Sequence, residues 1–126
     1  MKNKISAFLG ICNDVYVITV TANGKDTFQF NPVQMNGEDE FELRFDALEN
    51  LVRSFKNMEI DFYADSDAFA FEWENTYKIE KKFDESTAYY ERWNFVARNV
   101  EQNNLKLNIK GESQPLAVLN RRILSQ

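Results

Sequence analysis

The sequence predicts one α/β domain over residues 1–126, built on a mixed sheet of five strands flanked by helices. Three observations predict it. The chain opens with three runs of β-branched and aromatic residues separated by turn residues, the pattern of an antiparallel meander. Two long apolar stripes at helical spacing follow, each leading into a further strand-like run; strands reached through helical crossovers enter a sheet parallel to a neighbour. The chain also has enough apolar material for a real core: 126 residues, 44% hydrophobic, with eleven Phe, five Tyr and two Trp.

Ile5 to Cys12 reads as a buried first strand. Lys2 and Lys4 precede it in the manner of a secretion signal, but the run is short and Asn13-Asp14 interrupts it before any small-residue cleavage site, so the strand is the better reading. Val15 to Thr21 is a second, β-branched strand, and Asn23-Gly24 is the strongest hairpin signal in the chain. Thr27 to Phe30 is a third strand, with Phe28 and Phe30 on one face, ended by Asn31-Pro32. Asn36-Gly37 leads into a helix whose first turn carries Glu38, Asp39 and Glu40, acids suited to the positive end of the helix dipole. Phe41, Phe45, Leu48, Val52 and Phe55 make its apolar stripe, and its end is expected near Asn57.

Ile60, Phe62 and Ala64 then alternate with Asp61 and Tyr63 in a fourth strand. Ser66 is a good N-cap for a short helix reaching about Asn75. Lys78 to Glu85 reads as a charged connection. A second long helix is expected from Ser86, with Tyr89, Trp93, Val96, Ala97 and Val100 inward and Asn103-Asn104 as its stop. Leu105, Leu107 and Ile109 alternate with Lys106, Asn108 and Lys110 in a half-exposed last strand that Gly111 breaks. Pro115 suits the first turn of a final helix with Leu116, Leu119 and Ile123 inward.

Composition excludes several chemistries. There is no histidine, which removes Ser-His and Cys-His nucleophile pairs and histidine-ligated zinc. A single cysteine, Cys12, forms no internal disulfide, fits a reducing, cytoplasmic setting, and reads as a small buried hydrophobe. No stretch approaches the ~20 apolar residues of a membrane span. The formal charge of −5 argues against holding nucleic acid by net charge alone, although a local basic face is compatible with it.

Asp65 is the first candidate for chemistry. It stands where a strand meets a helix start, at the carboxyl edge where open α/β sheets bind ligands. Its alternative role is a helix-entry charge favoured by the dipole. Lys78, Lys81 and Lys82, with Arg92 and Arg98 on the next helix, are candidates for a basic ridge that binds nucleic acid, diluted by Glu80, Asp84, Glu85 and Glu91. Phe69, Phe71 and Trp73 suit either a base-stacking platform or, more simply, the core.

The order β-β-β-α-β-α-α-β-α resembles the ribonuclease H fold over nearly the whole chain. Phe8-Leu9-Gly10-Ile11-Cys12 resembles the family's first-strand motif, an Asp before Gly-Ser and often Cys. Phe41-Glu42-Leu43 resembles the helix start with its catalytic Glu before Leu; Tyr63-Ala64-Asp65-Ser66 resembles the strand-ending Thr-Asp-Ser. Leu107-Asn108-Ile109-Lys110-Gly111-Glu112 resembles the last-strand Val-Lys-Gly-His motif. The resemblance implies strand order 3-2-1-4-5. It also implies cleavage of RNA in RNA–DNA hybrids by two magnesium or manganese ions ~4 Å apart, held by four acids. Of those acids Glu42 and Asp65 match; the first-strand position carries Leu9, the final-helix position falls on or near Asn120, and Glu112 replaces a loop His. Asp14 and Glu112 are the substitutes within reach in sequence. The family's basic handle falls on the region of Lys78, Lys81 and Lys82.

Three functions follow as expectations. The leading one is a ribonuclease H-like domain that has lost cleavage and acts by binding nucleic acid, hybrid or single-stranded, or a protein. The second is a divalent-metal nuclease with a site rearranged around Glu42, Asp65 and Asp14 or Glu112. The third is an acidic protein-interaction or inhibitor module.

Overall fold

In the computed structural model, residues 3–22, 26–29, 32–35 and 39–111 are described. Three strands open the chain: β1 (Asn3–Cys12), β2 (Val15–Ala22) and β3 (Asp26–Gln29). They pair antiparallel, Ile5 opposite Ala22 and Val20 opposite Phe28, so the expected hairpins form. A two-residue strand, β4 (Val33–Gln34), was not expected; it pairs with the start of β2. Next come α1 (Glu40–Ser54) and β5 (Met58–Tyr63). A helical rod follows, made of α2 (Asp67–Glu72), a π-helical turn (Trp73–Tyr77) and α3 (Lys78–Glu80). Then come α4 (Tyr90–Gln102) and β6 (Lys106–Lys110). β5 runs parallel to β1, and β6 parallel to β5. The sheet order is β3-β2-β1-β5-β6, with β4 beside β2, which is the order 3-2-1-4-5 once the short β4 is set aside.

The core lies on the face of the sheet that α1 covers. Ile5, Ala7 and Leu9 of β1, Ile60 and Phe62 of β5, and Leu107 and Ile109 of β6 point into it. Phe45, Leu48, Leu51 and Val52 of α1 and Trp93, Val96 and Val100 of α4 close it. The aromatic packing is continuous: Phe69 meets Phe45 and Trp93 at 4.9 Å, and Trp73 stacks on Tyr77 at 4.4 Å. Phe69 and Trp73 are thus core residues, whereas Phe71 is 57% exposed. Cys12 is half-buried and free rather than fully buried. The opposite face carries a polar row across three strands. Lys4 pairs with Asp61 at 3.0 Å, and Asn108 donates to Asp61 and Glu59 at 2.8 and 2.9 Å.

Several boundaries differ from expectation for local reasons. α1 stops at Ser54 because Phe55 turns to extended backbone and Asn57 adopts a positive φ of 58°. The rod runs on to Glu80 instead of ending near Asn75; the widened π turn lets Trp73 and Tyr77 stack into the core together. α4 starts at Tyr90 rather than Ser86, because the Asp84 carboxylate takes the Ser86 N–H at 2.9 Å and holds that segment in a turn. The rod also covers the sheet's β6 edge. The Trp73 indole donates to the Leu107 carbonyl at 2.9 Å, and Glu74 accepts the Ile109 N–H at 2.9 Å, so ladder groups facing outward are satisfied. Glu112, Pro115, Asn120 and the expected final helix, and the turn residues Asn23-Gly24 and Asn36-Gly37, lie outside the described residues.

Candidate functional site

Two places bring together the residues singled out above. The first is the carboxyl end of β5. Asp65 follows that strand in the left-handed region, at φ 55°, and Ser66 then caps α2 by accepting the Phe69 N–H at 3.2 Å. The chain after β6 returns to this point: a Cβ on Gly111 would meet the Asp67 Cα at 2.7 Å, so only glycine lets the two backbones pass. Leu9, one residue beyond the Phe8–Tyr63 pair, is 1% exposed in the core.

A residue that the sequence reading missed dominates this end of the sheet. Arg44 is only 6% exposed. Its Nε donates to the Ala64 carbonyl at 2.7 Å, its Nη2 to the Asp65 carbonyl at 3.0 Å, and its Nη1 to the Glu40 carbonyl at 3.2 Å. The Glu40 carboxylate lies 3.6 Å from Nη1. The signal was present in the sequence as a charge in line with Leu48 and Leu51 on the apolar side of the helix, four residues after the acid Glu40.

Glu42 sits half-buried in the first turn of α1, and its backbone faces α4. Its N–H is capped by the Asp39 carboxylate at 2.8 Å, and its carbonyl accepts from Arg92 Nη2 at 3.1 Å. That N–H and the Tyr89 hydroxyl, both donating to it, hold the Asp39 carboxyl below its usual range, the Glu42 N–H being the largest cause. Asp14 lies in the β1–β2 turn, and its carbonyl accepts the Met35 N–H at 2.7 Å. β1 runs on through Leu9 to Cys12 past its last pairing with β5, so that turn stands roughly 13 Å beyond the level of Tyr63. Among the described residues no three His, Cys, Asp or Glu side chains are grouped so as to hold a metal ion. A buried guanidinium beside Asp65 and a buried Leu9 are also the wrong chemistry for a pair of hard dications, which need oxygen donors and excess negative charge. The described donor set does not fit a two-metal centre.

The second place is a cleft of about 420 Å³ between the end of the rod and α4. Tyr77, Lys81, Lys82, Tyr90, Asn94 and Arg98 line it, with Glu101 at one side. Lys81, Lys82 and Arg98 are exposed, and among the described residues none of them makes a hydrogen bond or ion pair through its side chain. Lys81 ends α3 in the left-handed region, at φ 62°, its N–H bonded to the Tyr77 carbonyl at 2.7 Å. Tyr89 closes the same connection with φ 59°. The Tyr77 hydroxyl donates to Glu101 at 3.0 Å, and its pKa is pushed up to about 12, first by burial and then by that carboxylate.

The other two basic candidates stand elsewhere. Lys78 reaches both Glu74 carboxylate oxygens, at 3.0 and 2.8 Å, and the Asn108 side chain at 2.5 Å. Arg92 is wedged between α1 and α4, 3.5 Å from a Glu49 carboxylate oxygen and 5.6 Å above the Phe45 ring. The structure therefore brings three of the five basic residues to one cleft and ties the other two into the fold.

No family model matches this chain, and no curated protein resembles it in sequence. Solved structures do resemble it. LC11-RNase H1, in a crystal structure with an RNA/DNA hybrid, is 14% identical over 96% of this chain and 92% of that one, with a TM-score of 0.50. A structure of LC11-RNase H1 isolated from compost by a metagenomic approach is 14% identical over 97% of this chain and 91% of its own, with a TM-score of 0.46. The first likeness, with the mixed sheet and its strand order, shows that the chain has the ribonuclease H fold. Among the described residues no helix is long and apolar enough to cross a membrane.

Proposed function

We propose that this ribonuclease H-fold domain binds nucleic acid, RNA–DNA hybrid or single-stranded, through the cleft of Lys81, Lys82 and Arg98, and does so without cutting it. The observation that carries the reading is the convergence of three exposed cations, free of ion pairs among the described residues, on one open cleft beside Tyr90. Phosphates supply the charge such a cleft lacks, and a tyrosine ring at its wall offers a face for a base. The structural neighbour crystallised with an RNA/DNA hybrid makes that duplex the first ligand to test. Leu9 and Arg44 at the carboxyl edge support the absence of cleavage. The free Cys12 suits a cytoplasmic setting.

Fluorescence anisotropy with labelled hybrid and single strands tests the binding. Three phosphate contacts give a log–log salt slope of about −2.1 to −2.7, a loss of roughly 18- to 42-fold between 50 and 200 mM salt. The Lys81→Glu, Lys82→Glu variant should lose binding to all of these ligands; undiminished binding ends the proposal. Hybrid cleavage with magnesium or manganese, run beside a Glu42→Gln, Asp65→Asn variant, tests the rest. Strong cleavage abolished in that variant establishes instead a nuclease rearranged around those two acids. A protein partner is favoured by a different feature, the exposure of Phe71 (57%) and Ile79 (72%) on the rod. Substituting both with Ser should leave nucleic-acid binding intact if the cleft is the site.

A further inference from the structure

We propose that the guanidinium of Arg44 is the resident cation of the sheet's carboxyl edge: it fills a carbonyl-lined seat at the end of β5, closes that seat to divalent metal ions, and lets the domain keep its fold without them. The inference is independent of the cleft, since it concerns a different part of the molecule and makes no use of nucleic acid.

The position is an unfavourable one for a cation. Arg44 lies one turn into α1, close to the positive end of the helix dipole, and arginine is rarely 94% buried as it is here. Something must draw the charge in. In an extended strand successive carbonyls point to opposite sides. At the end of β5 the left-handed Asp65 breaks that alternation, and the carbonyls of Ala64 and Asp65 both turn to one guanidinium. The Glu40 carbonyl at 3.2 Å and the Glu40 carboxylate at 3.6 Å complete the seat. Backbone carbonyls and carboxylates are the donors a hard dication also takes. Here the same kind of demand is met by N–H groups fixed in a planar fork, which a bare ion brought to the same seat would have to displace. Holding Asp65 left-handed is part of the same contact, because a non-glycine residue there is strained unless its surroundings fix it.

Thermal unfolding of the full chain tests this. Between EDTA and about 1 mM MnCl2 or MgCl2 the wild-type midpoint should move by less than about 1 °C, because the guanidinium already fills the seat at the end of β5. A rise of several degrees overturns the proposal, and this arm needs no variant. Arg44→Ala should melt well below wild type. About 20 mM guanidinium chloride, compared with sodium chloride at equal ionic strength, should then raise the variant's midpoint by about 2 °C or more while lowering or leaving that of wild type. An Ala variant lifted neither by guanidinium nor by manganese would mean that Arg44 acts only as packing, and the proposal falls. If Arg44→Ala does not fold, Arg44→Lys and Arg44→Met decide: Lys, which keeps a cation, must melt above Met, which keeps only the stem, and equal or reversed midpoints refute the idea.

Discussion

At the end of β5 the guanidinium of Arg44 is buried, and its donors go to the carbonyls of Glu40, Ala64 and Asp65. Beside α4, Lys81, Lys82 and Arg98 stand exposed around an open cleft, without ion pairs among the described residues. Both regions are positively charged, yet only the second can offer its charge to a ligand. A buried cation bonded to backbone holds a fold together, and bringing a dication near it costs electrostatic energy. An exposed cation with water as its neighbour loses little when that water is exchanged for a phosphate and gains by counterion release. The basic residue count of a chain is therefore a poor guide to its binding surface until each cation has been placed.

The comparison breaks most easily at Arg44. Its removal leaves three carbonyls without their donor in a buried place, and Arg44→Ala should lose about 3 kcal/mol in urea denaturation. A loss under about 1 kcal/mol would move Arg44 into the same class as the cleft cations. Arg92 sharpens the contrast, because the sequence grouped it with the cleft residues. It bonds the Glu42 carbonyl, lies near Glu49 and covers the Phe45 ring, so Arg92→Ala should cost about 1–2 kcal/mol of stability and leave nucleic-acid affinity unchanged. A clear loss of affinity in a folded Arg92→Ala protein would return it to the binding surface.

Much of the fold was legible because its signals are local. The alternation of Ile60, Phe62 and Ala64, the Ser66 cap and the stripe of Phe45, Leu48 and Val52 each depend on neighbours within a few residues, and each is found as read. Arg44 was not legible, because the carbonyls that explain it lie 20 and 21 residues away. The same distance hid the division of the basic residues. Lys78 is drawn off by Asn108, 30 residues on, and Arg92 by Glu42, 50 residues back. Lys81 and Lys82 were grouped with Arg98 only by their position in a charged stretch before a helix; that the three line one cleft with Tyr77 and Tyr90 needed the fold. The π turn was likewise invisible, since it answers to the packing of Trp73 and Tyr77 rather than to any breaker in the sequence.

Arg98 gives the complementary test. Nothing among the described residues depends on its charge, so Arg98→Ala should leave stability within about 0.5 kcal/mol of wild type. If it meets a phosphate, its loss should weaken binding alike for every sequence and reduce the salt slope by about 1. A change in stability without a change in slope would place Arg98 among the cations engaged by the fold.

The smallest effect concerns the acid that faces Arg92. Glu49 is raised above its ordinary pKa, first by burial, with nearby Asp46 adding to the rise and Arg92 opposing it. A carboxyl whose folded pKa is raised binds its proton more tightly in the folded state than in the unfolded one. Between the ordinary value of 4.5 and the raised one, the folded protein therefore holds more protons, and stability falls as pH rises through that window. The ionised Glu49 thus carries a cost at neutral pH that vanishes in acid. Glu49→Gln removes the titration, so the stability difference between variant and wild type should shift in the variant's favour on going from about pH 4 to about pH 7. A shift in the opposite direction would mean that the attraction between Glu49 and Arg92 outweighs the desolvation of the carboxylate. Arg92 would then belong to a net stabilising ion pair rather than to a cation held mainly by the Glu42 carbonyl and the Phe45 ring.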